Sequence, residues 1–197
     1  MTLPVLHTER LVLRPVRDGD AGALLALFGD AERMRFWGHG TLVTQDDAVA
    51  YIAKIRAGAA RGDLRQWAIA PRPAPSVSGH EPGSGDELIG TGTLAGVDEE
   101  HRRAELGVAL RREWEGRGLA AEAVAELARH AFEDLGLHRL TADADPRNTA
   151  AIALLERLGF RREGLLREHH RSGGEWQDGV LYGLLRAEWA ERASMRK

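Results

Sequence analysis

Cysteine is absent from all 197 residues. The chain therefore has no thiol nucleophile, acyl-cysteine intermediate, cysteine-ligated zinc or disulfide, and nothing in it argues for an oxidising compartment. Lysine is almost absent too, occurring only at positions 54 and 197, so the positive charge is nearly all arginine. With 27 Lys+Arg against 30 Asp+Glu the formal net charge is -3, which argues against general electrostatic binding to nucleic acid. No run is long and apolar enough to cross a bilayer, and Met1 to Glu9 lacks the basic-then-apolar pattern of a leader. A soluble, cytoplasmic protein with no membrane partner is expected. No Gly-x-Ser-x-Gly elbow and no Gly-Lys-Ser/Thr loop is present, which leaves hydrolase and P-loop chemistry without support.

What is present is ordinary in amount: 43% hydrophobic and 29% charged residues, the profile of one globular domain over residues 1–197. A chain of this length buries roughly 70% of its unfolded surface and needs no covalent or metal staple. Periodicity places a strand over 10–16, a helix from Asp18 to Phe28, and a second helix from Thr44 or Asp46 to about Ala60. Strands at 66–70 and 88–97 flank residues 71–86, PRPAPSVSGHEPGSGD, whose Pro, Ser and Gly content predicts an inserted loop. The second half is more regular. A strand over 104–110, a helix over 118–135, a strand over 138–144 and a helix over 146–158 precede two strands, 160–167 and 176–185, joined at Ser172-Gly173-Gly174. Strand–helix–strand order implies a parallel pair at the centre of the sheet and an antiparallel pair at its end.

The turn Glu115-Gly116-Arg117-Gly118-Leu119-Ala120-Ala121 joins a strand to a helix with small residues where it is tightest. Such a turn aims unpaired backbone amides outward from the positive end of the helix dipole, an arrangement that suits a phosphate or diphosphate. Arg111, Arg112 and Arg117 stand close in sequence and could neutralise phosphate charge, although a solvated arginine face has the same spacing. The turn also satisfies Gly-x-Gly-x-x-Ala, with Asp143 and Asp145 about 25 residues on, so a dinucleotide fold must be weighed. Against it, only one helix and an antiparallel pair follow Asp145.

Alternation along the strand before the turn puts Ala104, Leu106, Val108 and Leu110 on one face and Glu105, Gly107 and Ala109 on the other. One carboxylate beside small residues leaves room for a thin ligand next to a proton acceptor, and burial would raise the Glu105 pKa toward a useful range. A charge at an exposed strand start is the alternative.

The segments AELGVAL, EWEGRGLAAEAV, LGLHRL, DPRNTAAIALLERLGFRREG and GEWQDGVLYGLL, between Ala104 and Trp189, resemble the GNAT superfamily of acetyl-CoA-dependent N-acetyltransferases. With the N-terminal HTERLVLRP, they are similar to the branch that includes ribosomal-protein-alanine N-acetyltransferases of the RimJ/RimL type. The resemblance implies an α/β domain whose mixed, mostly antiparallel sheet splays a central parallel pair around acetyl-CoA, with helices on both faces. It implies that the backbone of Gly116, Arg117, Gly118, Leu119, Ala120 and Ala121 holds the diphosphate of coenzyme A. Glu115 stands where the family has Gln or Arg and should face solvent. Val108, Ala109 and Leu110 match the strand that pairs with the pantetheine arm, and Asn148 matches the asparagine that contacts this arm.

Amine acetylation needs a base, an oxyanion donor and a proton for the departing thiolate. Glu105 is the first choice as base and Asp143 the second, with a backbone amide near Val108 or Ala109 as oxyanion donor. The family's Tyr and Ser positions fall on Leu155 and Ala151, so no side-chain acid is expected, and the missing cysteine favours direct transfer in a ternary complex. The expected acceptor is a peptide or protein N-terminus, since an α-amine loses its proton near pH 8 and a lysine near 10.4. A small amine and a non-catalytic acyl-CoA-binding module are the alternatives, and either a monomer or a homodimer is open. His169 and His170, adjacent on a strand, should face opposite ways and share no metal. Trp37, Trp67, Trp114, Trp176 and Trp189 read as core or rim packing.

Overall fold

The computed structural model describes residues 3–34, 36–37, 40–72 and 86–194. Eight strands form one sheet: β1 Leu6–His7, β2 Leu11–Pro15, β3 Leu64–Pro71, β4 Gly90–Asp98, β5 Arg103–Leu110, β6 Arg139–Ala144, β7 Arg161–Ser172 and β8 Glu175–Leu185. Their spatial order is β1-β2-β3-β4-β5-β6-β8-β7, and each neighbouring pair is antiparallel except β5 with β6. The exception follows from the chain path. β5 leads into a helix, Leu119–Arg129, and a strand–helix–strand crossover returns the chain in the same direction.

The helices are α1 Ala21–Phe28, α2 Ala31–Met34, α3 Gln45–Arg61, α4 Leu119–Arg129, α5 Thr149–Leu158 and α6 Arg186–Ser194. α3 opens on a capping box, in which Thr44 Oγ1 accepts from the Asp47 amide at 3.1 Å and the Asp47 carboxylate accepts from the Thr44 amide at 2.8 Å. It packs with α1 on one face of the sheet, where Leu24, Phe28 and Ile52 meet Ala68 of β3 and Ala109 of β5. On the other face Ala123 and Leu127 of α4 and Leu155 and Leu158 of α5 join Trp67, Leu106 and Leu140. Both faces are covered, as expected. Gly92 lets α4 approach the sheet, because a Cβ there would lie 2.7 Å from Leu127 Cδ1.

Several elements differ from their sequence-predicted extents. α4 stops at Arg129 and the chain widens into a single π turn, His130–Asp134, in which the Leu135 amide reaches back to the His130 carbonyl. α5 begins at Thr149 and not at 146, because the Asn148 side chain caps it by accepting from the Ala151 amide at 3.1 Å. β7 runs to Ser172 with two register shifts. β1, α2 and α6 are too short or too polar to have been read from periodicity. Of the expected loop at 71–86, residues 73–85 lie outside the described residues.

One feature of the sheet positions everything that follows. β5 and β6 are in register only over Arg103–Glu105 and Arg139–Thr141. Beyond those residues the two strands part, β5 toward Leu110 and β6 toward Ala144.

Candidate active site

The direction of the main chain at this split is fixed by the bonds at its ends. The Arg102 carbonyl accepts from the His138 amide at 2.6 Å, on the β6 side, and the Arg111 amide donates to the Ile89 carbonyl at 2.8 Å, on the β4 side. Since amides along a strand alternate in direction, even-numbered residues of β5 address β6 and odd-numbered ones address β4. The backbone groups of Val108 and Leu110 therefore face the gap, and those of Ala109 are turned to β4. Of the two amides expected as oxyanion donors, that of Val108 faces the gap.

Two cavities meet at the split. The larger, about 620 Å³, is bordered by Ala109 and Leu110, by Gly116, Gly118 and the start of α4, and by Arg112 and Arg157. Gly116 (φ 70°) and Gly118 (φ 77°) both occupy the left-handed region, which side chains resist. Gly118 also leaves α4 without a side-chain cap, so the first-turn amides of Leu119, Ala120 and Ala121 open at the positive end of the helix. With only methyl groups at Ala120 and Ala121, the turn suits a diphosphate approaching the backbone. Arg117 does not border the cavity. Its guanidinium stacks over the Trp114 ring, 5.0 Å from the centroid, and its carbonyl accepts from Arg10 at 3.0 Å. Glu115 is exposed at the cavity edge.

The second cavity, about 490 Å³, opens on the α3 side and carries Tyr51, Lys54, Glu105, Asp143 and His169. Glu105 and Asp143 share a face because Glu105 is opposite Thr141 and Asp143 lies two residues on. Burial pushes the Glu105 carboxyl above the usual carboxylate range, the Asp143 charge adds to this, and His169 opposes it. Glu105 is nonetheless exposed to solvent through the open cavity, which screens the upward push. Tyr51 is pushed up by burial and receives a bond from Gln66 Nε2 at 3.1 Å. Val108, Asn148, Ala151, Leu154, Phe36 and Trp37 border both cavities, so the two adjoin. Leu155 also faces the α3-side cavity, and neither it nor Ala151 can donate a proton.

The expectation that His169 and His170 face opposite ways is corrected. Both line the α3-side cavity, with ring centroids 6.1 Å apart. The cause is an irregularity in β7 between Leu166 and His170, at Glu168, whose φ of 51° departs from strand geometry. No cluster among the described residues fits a metal ion. Tyr51, Lys54, Gln66 and the histidines were missed as site residues. They reach the cavity from distant elements, and no local pattern marks them. Of the tryptophans, Trp67 is buried in the core, Trp176 is exposed, and Trp37 borders the groove.

Residues 10–161 match the acetyltransferase (GNAT) domain model. The chain is 32% identical over 188 residues to p20, an uncharacterised N-acetyltransferase of Bacillus licheniformis, covering 95% of this chain and 99% of that one. It is 33% identical over 104 residues to the [ribosomal protein uS5]-alanine N-acetyltransferase of Escherichia coli (strain K12), covering 52% of this chain and 54% of that enzyme. Its fold is shared with spermidine N-acetyltransferase from Vibrio cholerae, solved with CoA and spermine, at a TM-score of 0.77 and 22% identity over 93% of this chain and 99% of that one. The split parallel pair, the uncapped glycine turn and the matched sequence lead to one conclusion: the chain belongs to the GNAT acetyltransferase family and is an acetyl-CoA-dependent N-acetyltransferase.

Proposed function

We propose that residues 1–197 act as one catalytic domain that acetylates the α-amino group of a peptide or protein N-terminus by direct transfer in a ternary complex. The observation that carries this reading is that the two cavities adjoin across the β5–β6 split, with Glu105 on the side away from the glycine turn. Acetyl-CoA supplies the activated acetyl thioester. The amides from Gly116 to Ala121 hold its diphosphate, Arg117, set back from the cavity on its Trp114 platform, adds positive charge near the turn, and the gap-facing main chain of Val108 and Leu110, beside Ala109, pairs with the pantetheine arm. Asn148, at the start of α5, lies beside that arm.

Glu105 takes the proton from the acceptor ammonium, and its raised pKa brings it closer to the amine it must deprotonate. Asp143 is the second carboxylate of the pair and the reserve base. The Val108 amide faces the place where negative charge develops on the acetyl oxygen. No side chain at Ala151 or Leu155 returns a proton to the thiolate, so water or the second amine proton serves. Without cysteine no thiol can carry the acetyl group, which favours direct attack by the amine.

The acceptor class rests on chemistry and on kinship. An α-amine with a pKa near 8 needs less help from a carboxylate base than an amine near 10.4, and the relative from Escherichia coli is named for an alanine of ribosomal protein uS5. The acetyl-CoA requirement fits a cytoplasmic setting. The test is CoA release with Ala- and Ser-initiated peptides, spermidine, amino sugars and free amino acids. N-terminal peptides should give the highest kcat/KM, and Glu105→Gln should cut kcat by about 10²–10⁴-fold. Preference for spermidine or an amino sugar would overturn the acceptor, and an undiminished Glu105→Gln enzyme would overturn the base.

A further inference from the structure

Two carboxylates that share one face of a cavity repel each other, and the closer they lie the harder it is for both to stay ionised. Glu105 and Asp143 are so placed, on neighbouring parallel strands. An imidazole is built in beside them. His169 Nε2 lies 3.8 Å from Asp143 Oδ2, with the imidazole 43% exposed and the carboxylate 34%.

Two independent features hold the ring there. Glu168, one residue before it, has a left-handed backbone (φ 51°) and donates its amide to Asp178 Oδ1 at 2.8 Å. Arg102 is the only other described residue, glycine apart, with positive φ, so this conformation is a local cost that the Asp178 bond offsets. The irregularity it creates swings His169 out of strand alternation and into the cavity. On β8, Gly179 leaves the space the ring occupies. A Cβ at 179 would stand 3.0 Å from His169 Cδ2 and 3.4 Å from Cγ. A bulge and a glycine on two strands thus serve the placement of one imidazole.

We propose that His169 is the charge partner of the Glu105–Asp143 pair, a positioning residue that fixes the pH at which Glu105 becomes able to take the acceptor's proton. The inference rests on the reading of Glu105 as base. Histidine carries its charge on the acid side of neutrality, where a carboxylate base is switched on. The other ionisable groups on the same cavity are Lys54 and Tyr51 from α3 and His170 from β7 itself. Glu168 and Asp178 flank the bulge. Of these, only His169 lies within ion-pairing distance of Asp143. It is also the group whose charge offsets the upward push on Glu105.

The experiment is a carbon-detected NMR titration of the Glu105 side-chain carboxyl, assigned by its loss in Glu105→Gln. It is read in the wild type, in His169→Gln and in Gly179→Ala, which crowds the ring without changing charge. His169→Gln should titrate Glu105 higher by about half a pH unit or more, and Gly179→Ala, which displaces the ring by only a few tenths of an ångström, should shift it the same way by less. The acid limb of kcat/KM on an Ala-initiated peptide should move by the same amount, with KM for acetyl-CoA unchanged. His169→Arg, which keeps a cation, should restore the limb. A Glu105 titration unmoved by His169→Gln would overturn the proposal. Failure of the base assignment would show separately, as full activity in Glu105→Gln.

Discussion

Glu105 is held in a protonation state that costs the fold something. Its pKa is raised mainly by burial, so the native state binds its proton more tightly than the unfolded chain does. Its contribution to stability is complete below the ordinary carboxylate pKa and is lost as pH rises through the raised native value. At neutral pH the ionised carboxylate therefore weakens the fold in order to be available to the amine, the usual direction of trade between stability and activity. Glu105→Gln removes that charge and keeps the shape. Because the carboxylate is also exposed, solvent screens this effect, and the variant's Tm should exceed the wild type's by no more than about 2 °C at pH 7.5 and coincide with it near pH 4, measured by scanning calorimetry. A variant less stable than wild type at both values would mean that the carboxylate is a net structural contributor.

At the scale of elements, the glycine turn is the part most sensitive to a single atom. Gly118 sits at φ 77° as the N-terminal cap of α4, and a Cβ there would lie 3.5 Å from Arg10 Nη2. Gly118→Glu places a strained, negative side chain at the amides proposed to hold a diphosphate. Acetyl-CoA affinity should fall beyond detection by calorimetric titration while far-ultraviolet circular dichroism is retained. Retained affinity would move the cofactor elsewhere. This turn was legible in the sequence because its signals are local: two glycines, two alanines and the apolar spacing of α4 lie within one stretch. The face of Glu105 was legible for the same reason, since alternation along β5 needs no partner. The placement of His169 and His170 was not. It depends on Asp178 bonding to Glu168 across the hairpin, a contact between strands that no single-strand pattern encodes. Nor did Tyr51 and Lys54 announce themselves. They enter the cavity because α3 packs across β3, and each is an ordinary helix residue by sequence.

For the whole molecule, the groove is a joint product of distant segments: β5, the glycine turn and α4 wall one side, β6 and α5 the other, and α3 closes the far end. A ligand that spans it binds only the native state, because the unfolded chain cannot bring these segments together. Mass action then stabilises the fold by about 2.7 kcal/mol when the ligand is at a hundred times its Kd. In a chain of this length each kcal/mol moves Tm by about 2–4 °C. Saturating acetyl-CoA should therefore raise the melting temperature by about 5–10 °C. NAD at the same concentration should leave it unmoved, since a dinucleotide fold needs parallel strands beyond β6 and the chain instead closes with the antiparallel β7–β8 pair. Equal shifts from the two ligands would mean that the turn grips any diphosphate and that the β5–β6 split adds no recognition of the pantetheine arm. A shift from acetyl-CoA alone ties the grip at the turn to the opening between the strands, as the shared border at Val108 and Asn148 requires.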